Sequence, residues 1–194
     1  IKDKNFLLFS SNIDKYFKPI LTNIKLTIGG TKSNFQNIVN NSDLRTVINS
    51  SFNYGFELRS SFKDFINFNI GSKWEYNEVN TIFKNSYNEN NSFIDLYFIL
   101  NKKINFQLET ERYYNSNLDK KNNKYYFMDL ELNYVPNKNK LSFSILANNL
   151  FNTKTFKNYL VDDVSISKTE YRLLPRYILL KIDFRFWNLI KFVN

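Results

Sequence analysis

Six carboxylates are the side chains whose type and spacing could do chemistry: Glu57, Asp95, Glu109, Glu111, Asp129 and Glu131. The Glu-x-Glu spacing at 109–111 and the Asp-x-Glu spacing at 129–131 put each pair on one side of an extended strand. If the segment 115–124 between them turns near residue 120, Glu111 faces Asp129, Glu109 faces Glu131, and Asp95 flanks Glu109. Facing carboxylates can divide acid and base roles, as in glycoside hydrolysis. The chain has no histidine and no cysteine, however, so the commonest general base, the commonest metal ligand and every thiolate centre are missing. The sequence assigns no catalytic residue, metal site or cofactor, and the chain reads as a non-enzyme. Carboxylates facing one another cost stability unless cations answer them. A basic partner surface is therefore the economical reading of the six.

The elements that would position them are strands. Scoring for period two gives about nine candidates of roughly ten residues each, the length of a tilted membrane strand. Ile24, Leu26 and Ile28 share one side of theirs, as do Phe52, Tyr54, Phe56 and Leu58, and then Ile66, Phe68, Ile70, Trp74 and Tyr76. Ile94, Leu96 and Phe98 follow, then Ile104, Phe106 and Leu108, then Met128, Leu130 and Leu132, then Phe143, Ile145 and Ala147. The first strand, around Leu7, Phe9 and Ile13, alternates least cleanly. In "PRYILLKIDFRF" (175–186), Ile178, Leu180, Ile182, Phe184 and Phe186 oppose Lys181, Asp183 and Arg185.

The connections are expected to alternate in length. Segments 18–21, 60–64, 101–103 and 136–140 read as short turns, and 33–45, 78–92, 115–124 and 151–170 as long polar loops. That is the up-and-down plan of an outer-membrane barrel, with long loops outside the cell and short turns in the periplasm. The fold class expected is all-β: an antiparallel up-and-down transmembrane β-barrel, of which these are about nine strands. The face of Ile178 to Phe186 then meets lipid, and the opposite face lines the interior. Trp74, Tyr76, Tyr113, Tyr114, Tyr125, Tyr126 and Phe184 are expected in interfacial girdles. A soluble antiparallel sandwich is the alternative, since alternation alone does not name what covers the apolar phase.

Charge adds little. The formal net charge of +9 invites nucleic acid, but the lysines sit scattered in turns such as "NKK" and "PNKNK", and no nucleic-acid motif appears. No apolar run approaches the ~18 residues of a membrane helix. The chain opens at Ile1 inside what reads as a strand, so it is expected to continue a longer protein.

Two stretches carry a resemblance. "ILANNLFNTKTF" (145–156) contains Asn149-Leu150-Phe151-Asn152, and "YRLLPRYILLKIDFRF" (171–186) follows after the last long loop. This ending resembles the C-terminus of TonB-dependent outer-membrane receptors of the Bacteroidota type; "NIVNNSDLR" and "ETERYY" are similar to the same group. Asn148, Asn149 and Asn152 are expected to bond backbone at the strand exit, and Arg176 either to reach lipopolysaccharide phosphates or to stand as a solvated loop arginine. The resemblance implies a C-terminal barrel part (1–186) with an extension (187–194), in a receptor for energised uptake of a siderophore, glycan or peptide. It implies a plug domain of the same protein docked on the six carboxylates, a TonB-type energy coupler acting through an N-terminal part, and delivery by the barrel assembly machinery. Other readings are a small non-transporting outer-membrane barrel (structural protein, adhesin or porin) and a soluble β-rich binding module.

Overall fold

A computed structural model describes residues 2–40, 43–60, 65–136 and 140–185. Eight consecutive strands form an antiparallel meander: β1 (Lys2–Phe17), β2 (Thr22–Asn37), β3 (Arg45–Ser60), β4 (Ile66–Asn80), β5 (Lys84–Ile99), β6 (Ile104–Asn115), β7 (Lys124–Tyr134) and β8 (Leu141–Asn148). A hairpin of β9 (Thr155–Val161) and β10 (Ile166–Arg172) interrupts the meander, and β11 (Tyr177–Phe184) then pairs with β8. The result is a nine-stranded up-and-down sheet, open between β1 and β11. No described helix is long and apolar enough to cross a membrane.

Period two explains the ladder. Ile24 lies opposite Leu58, Leu58 opposite Ile70, and Ile70 opposite Ile94, so the apolar sets of successive strands meet on one face. Leu108, Leu130, Ala147 and Ile178 continue that face to the last strand. Among the described residues it is largely uncovered: Ala147 is buried, but Leu26, Tyr54, Ile94 and Ile145, all on strands inside the sheet, are 42–46% exposed. Rings stack across it at Tyr54–Trp74 and Tyr134–Phe143.

The apolar stretch slants across the strands. Carried along the pairing, the row of Leu26 passes through Phe56, Ser72, Ser92 and Arg112. The row of Leu180 passes through Ile145, Leu132, Phe106, Phe98 and Ile66. On β4 the two rows are six residues apart, Ser72 against Ile66, across seven strand-to-strand steps.

Four expectations need correction. The polar segment 78–92 is not a long loop: β4 runs to Asn80, β5 starts at Lys84, and only 81–83 turn. Likewise 33–45 shortens to 38–44, and 151–170 holds the β9–β10 hairpin. The cause is general: Asn, Ser and Glu exchange backbone bonds as well as Leu does, so composition marks where the apolar band stops, not where the ladder stops. Fourth, Tyr113 and Tyr125 face each other on the polar side, opposite to Tyr114 and Tyr126. The short turns fare better. Segment 18–21 is a 3₁₀ turn closed by Leu21 in a left-handed conformation, and Asn101 caps the 101–103 turn through the amides of Lys103 and Ile104. Residues 61–64 and 137–139, from the turns placed at 60–64 and 136–140, lie outside the described residues, as do Phe186 and the extension 187–194.

Gly71 lets Phe93 cross the polar face. A Cβ there would lie 2.6 Å from the Phe93 ring and 2.8 Å from the Phe56 carbonyl oxygen, which the backbone cannot yield cheaply. At Gly29 the nearest atom, 3.0 Å away, belongs to the Asn53 side chain, which can move. Gly71→Ala should therefore cost about 1–3 kcal/mol, the usual penalty of overpacking, and Gly29→Ala clearly less. Urea unfolding of both variants checks this, and equal costs would contradict the packing argument.

Candidate functional site

All six acidic residues share the face opposite the apolar one, but their register differs from expectation. Asp95 does lie opposite Glu109. Glu109 then faces Asp129, Glu111 faces Phe127, and Glu131 faces Gln107, a shift of two residues from the expected pairing. The β6–β7 turn is fixed by local bonds, Asn115 N–H to the Asn123 carbonyl at 3.0 Å and Asn117 N–H to the Asn115 side chain at 3.0 Å, and not by the midpoint of its polar run. Asp95, Glu109 and Asp129 thus form one row of three carboxylates on adjacent strands. Amides reach its two ends: Asn69 Nδ2 donates to Asp95 at 3.3 Å and Asn149 N–H to Asp129 at 2.7 Å. Glu57 lies apart, paired with Arg59 at 3.3 Å, and Arg59 also meets Asp14 at 3.2 Å.

The hairpin lies on this polar face. Phe156 packs its ring against Tyr113, Tyr125 and Phe127, with centroids 5.0–6.3 Å away, and Tyr159 meets Tyr87 at 6.0 Å. Asp163, just past the end of β9, reaches the start of β3, bonding Arg45 at 3.1 Å and Asn37 at 2.5 Å. The hairpin therefore crosses from the β7 side to the β2–β3 end. Its turn is tied by Asp162, whose carboxylate accepts from the Val164 and Ser165 amides at 2.8 and 2.6 Å. Those bonds hold the Asp162 carboxyl below its ordinary value, so their contribution is complete above the usual carboxylate range and is lost as pH falls through the lowered one. Glu170, 3.0 Å away on β10, raises Lys157 in turn.

Between hairpin and sheet lies a cavity of about 850 Å³. Tyr113, Tyr125, Phe127 and Phe156 form its aromatic wall, and Glu75 and Glu89, directly opposed on β4 and β5, its acidic one. No protein-family model, curated protein or solved structure matches this chain. What the face can do therefore rests on its own geometry.

The Asn-Leu-Phe-Asn element anchors the hairpin. Asn149 and Asn152 both have positive φ, at 52° and 56°, which asparagine tolerates better than most residues. Asn149 Nδ2 donates to the carbonyls of Thr153 and Leu174 at 2.9 and 2.8 Å, clamping both legs of the insertion. The Arg176 amide donates to Asn152 Oδ1 at 3.2 Å, so both asparagines bond backbone as expected. Sequence reasoning passed over Glu75, Glu89, Phe156 and the hairpin. Its signal was present, two alternating runs around the turn-forming "DDVS".

Asp163→Ala removes the acceptor shared by Arg45 and Asn37, the hairpin's polar hold on the far strands. Hydrogen exchange should speed up across β9 and β10, with β4 and β5 unchanged. Unaltered protection of the hairpin would show that the aromatic contacts hold it alone.

Proposed function

We propose that this chain is a section of outer-membrane β-barrel wall, the C-terminal barrel portion of a TonB-dependent receptor that takes up an as yet unidentified siderophore, glycan or peptide. The observation that carries the membrane reading is the placement of the second layer. In a soluble sandwich the second sheet covers the apolar face. Here the β9–β10 sheet packs on the polar face, and no described layer covers the apolar one. Lipid is the cover that suits such a face.

The slant supports the same reading. Six residues over seven steps combine with a rise of ~3.3 Å per residue and a strand spacing of ~4.8 Å. Together they make an angle of roughly 30°, close to the ~35–45° tilt of membrane strands. A flat apolar slab cut by tilted strands leaves this offset. Nine strands also make the two edge strands parallel, whereas bacterial single-chain barrels have an even count. Closure with antiparallel seams throughout then requires further strands, as the wall of a larger barrel would have.

On this reading Ile178, Leu180, Ile182 and Phe184 face lipid, and Arg176 stands at the outer rim near lipopolysaccharide. The row Asp95–Glu109–Asp129, with Glu57, Glu111 and Glu131 around it, faces the lumen and suits a cationic surface such as a plug domain. A TonB-type coupler and the barrel assembly machinery are the further partners.

The chain lacks cysteine, so single labels are unambiguous. Ile82→Cys sits at the tip between β4 and β5, and Lys102→Cys at the opposite end, in the turn between β5 and β6. An impermeant maleimide should label Ile82→Cys on intact cells, and Lys102→Cys only once the outer membrane is permeabilised. The reverse pattern would overturn the orientation; recovery of the protein in the soluble fraction would overturn the membrane reading.

A further inference from the structure

The cavity under the hairpin has the chemistry of a receptor for an organic cation. Its carboxylates lack cations: among the described residues, no lysine or arginine comes within 4.0 Å of Glu75, Glu89, Glu111 or Asp129. The two lysines that line it are engaged elsewhere. Lys157 is paired with Glu170, and the Lys73 ammonium lies 5.8 Å from the Phe93 ring centre. Glu75 and Glu89 are directly opposed across the strands, an arrangement that repels unless a positive charge sits between or above them.

A second, independent sign is unmet polar valence in the same cavity. Tyr125 is only 7% exposed, and its hydroxyl meets no side-chain partner, only the backbone of Lys157. The Asn91 side-chain carbonyl, also lining the cavity, is buried and unpaired. Both line the same cavity as Tyr113, Phe127 and Phe156, whose rings pack against one another at 5.5–6.3 Å. Carboxylates, free carbonyl and hydroxyl oxygens and aromatic rings together are what an ammonium on an apolar body requires. A bare metal ion suits the site less, because no group of three or more ligating side chains converges among the described residues. The cavity's volume of about 850 Å³ falls within the ~300–1,000 Å³ of small-molecule sites.

We infer that this cavity binds a small organic cation, an ammonium carried on an aromatic or alkyl body, with Glu75 and Glu89 holding the charge and the Phe156 cluster the apolar part. The inference rests on reading the polar face as the barrel interior, and narrows the class of ligand that the barrel admits.

Calorimetric titration of the full chain in detergent micelles tests it with three probes. Tyramine has a ring and an ammonium, 4-ethylphenol has the same ring without the charge, and maltotriose is a neutral polyol. Tyramine should bind at least about tenfold more tightly than 4-ethylphenol, a difference of ~1.4 kcal/mol. The near-isosteric double variant Glu75→Gln/Glu89→Gln should erase that difference and leave 4-ethylphenol unchanged. Tyr125→Phe should weaken tyramine by a smaller factor. Equal affinity for the two aromatics, preference for maltotriose, no binding of tyramine, or an indifferent double variant would each overturn the inference. A protein that labels from the expected sides at Ile82→Cys and Lys102→Cys yet ignores tyramine loses this inference alone. One that fails the labelling test loses the barrel reading beneath it.

Discussion

Backbone pairing decides which face every side chain of this molecule takes, and nearly everything else depends on it. Because the pleat has a period of two, slipping one strand by a single residue would move its whole apolar set to the other side. The pairing of Ile24 through Leu58 and Ile70 to Ile94, and of Leu180 through Ile145 and Leu132 to Phe106, shows the register kept in step across the sheet. Turns that cap themselves hold it there, such as the Asn101 side chain accepting from Lys103 and Ile104 at 2.8 and 3.0 Å. Close approaches that tolerate no extra atom, such as Phe93 over Gly71, hold it too.

Segregation of the faces then creates two different problems. Among the described residues no layer covers the apolar face, and ordinary hydrophobic burial is thereby largely missing from the side richest in Leu, Ile and Phe. The polar face carries the reverse load, a row of carboxylates, and it is there that the chain spends its own second layer. Among the described residues, five of the six buried apolar side chains, Val47, Val79, Tyr87, Leu118 and Tyr125, belong to that side or to the loop beside it. Tyr87 and Tyr125 pack directly on the hairpin through Tyr159 and Phe156. The small internal core, the cavity and the Asp163–Arg45 contact are consequences of one insertion between β8 and β11.

The strands of the main sheet were legible in the sequence because each carries at least three alternating apolar residues, the final Ile178–Phe184 run most clearly. The phase of the six acidic residues was legible for the same reason. Their exact partners were not: Glu109 meets Asp129 because Asn115 and Asn117 tighten the following turn, a bond pattern that no periodicity encodes. The outer ends of β4 and β5 were hidden because Asn77, Glu78, Asn85 and Ser86 look like loop residues while pairing as strand residues. Tyr113 and Tyr125 were assigned by residue type to an interfacial girdle, whereas counting parity from Glu111 would have placed Tyr113 beside the carboxylates. The cavity was beyond reach, since it needs the hairpin to fold back over strands far away in sequence.

The claim that the apolar face meets lipid has a direct optical test in Trp74, which lies on that face stacked on Tyr54 at 5.1 Å. The chain holds two tryptophans, so Trp187→Phe leaves Trp74 as the sole reporter. In bilayers whose acyl chains carry bromine, the account predicts strong quenching of Trp74 emission and little effect of aqueous iodide. Emission indifferent to brominated lipid and quenched by iodide would contradict it.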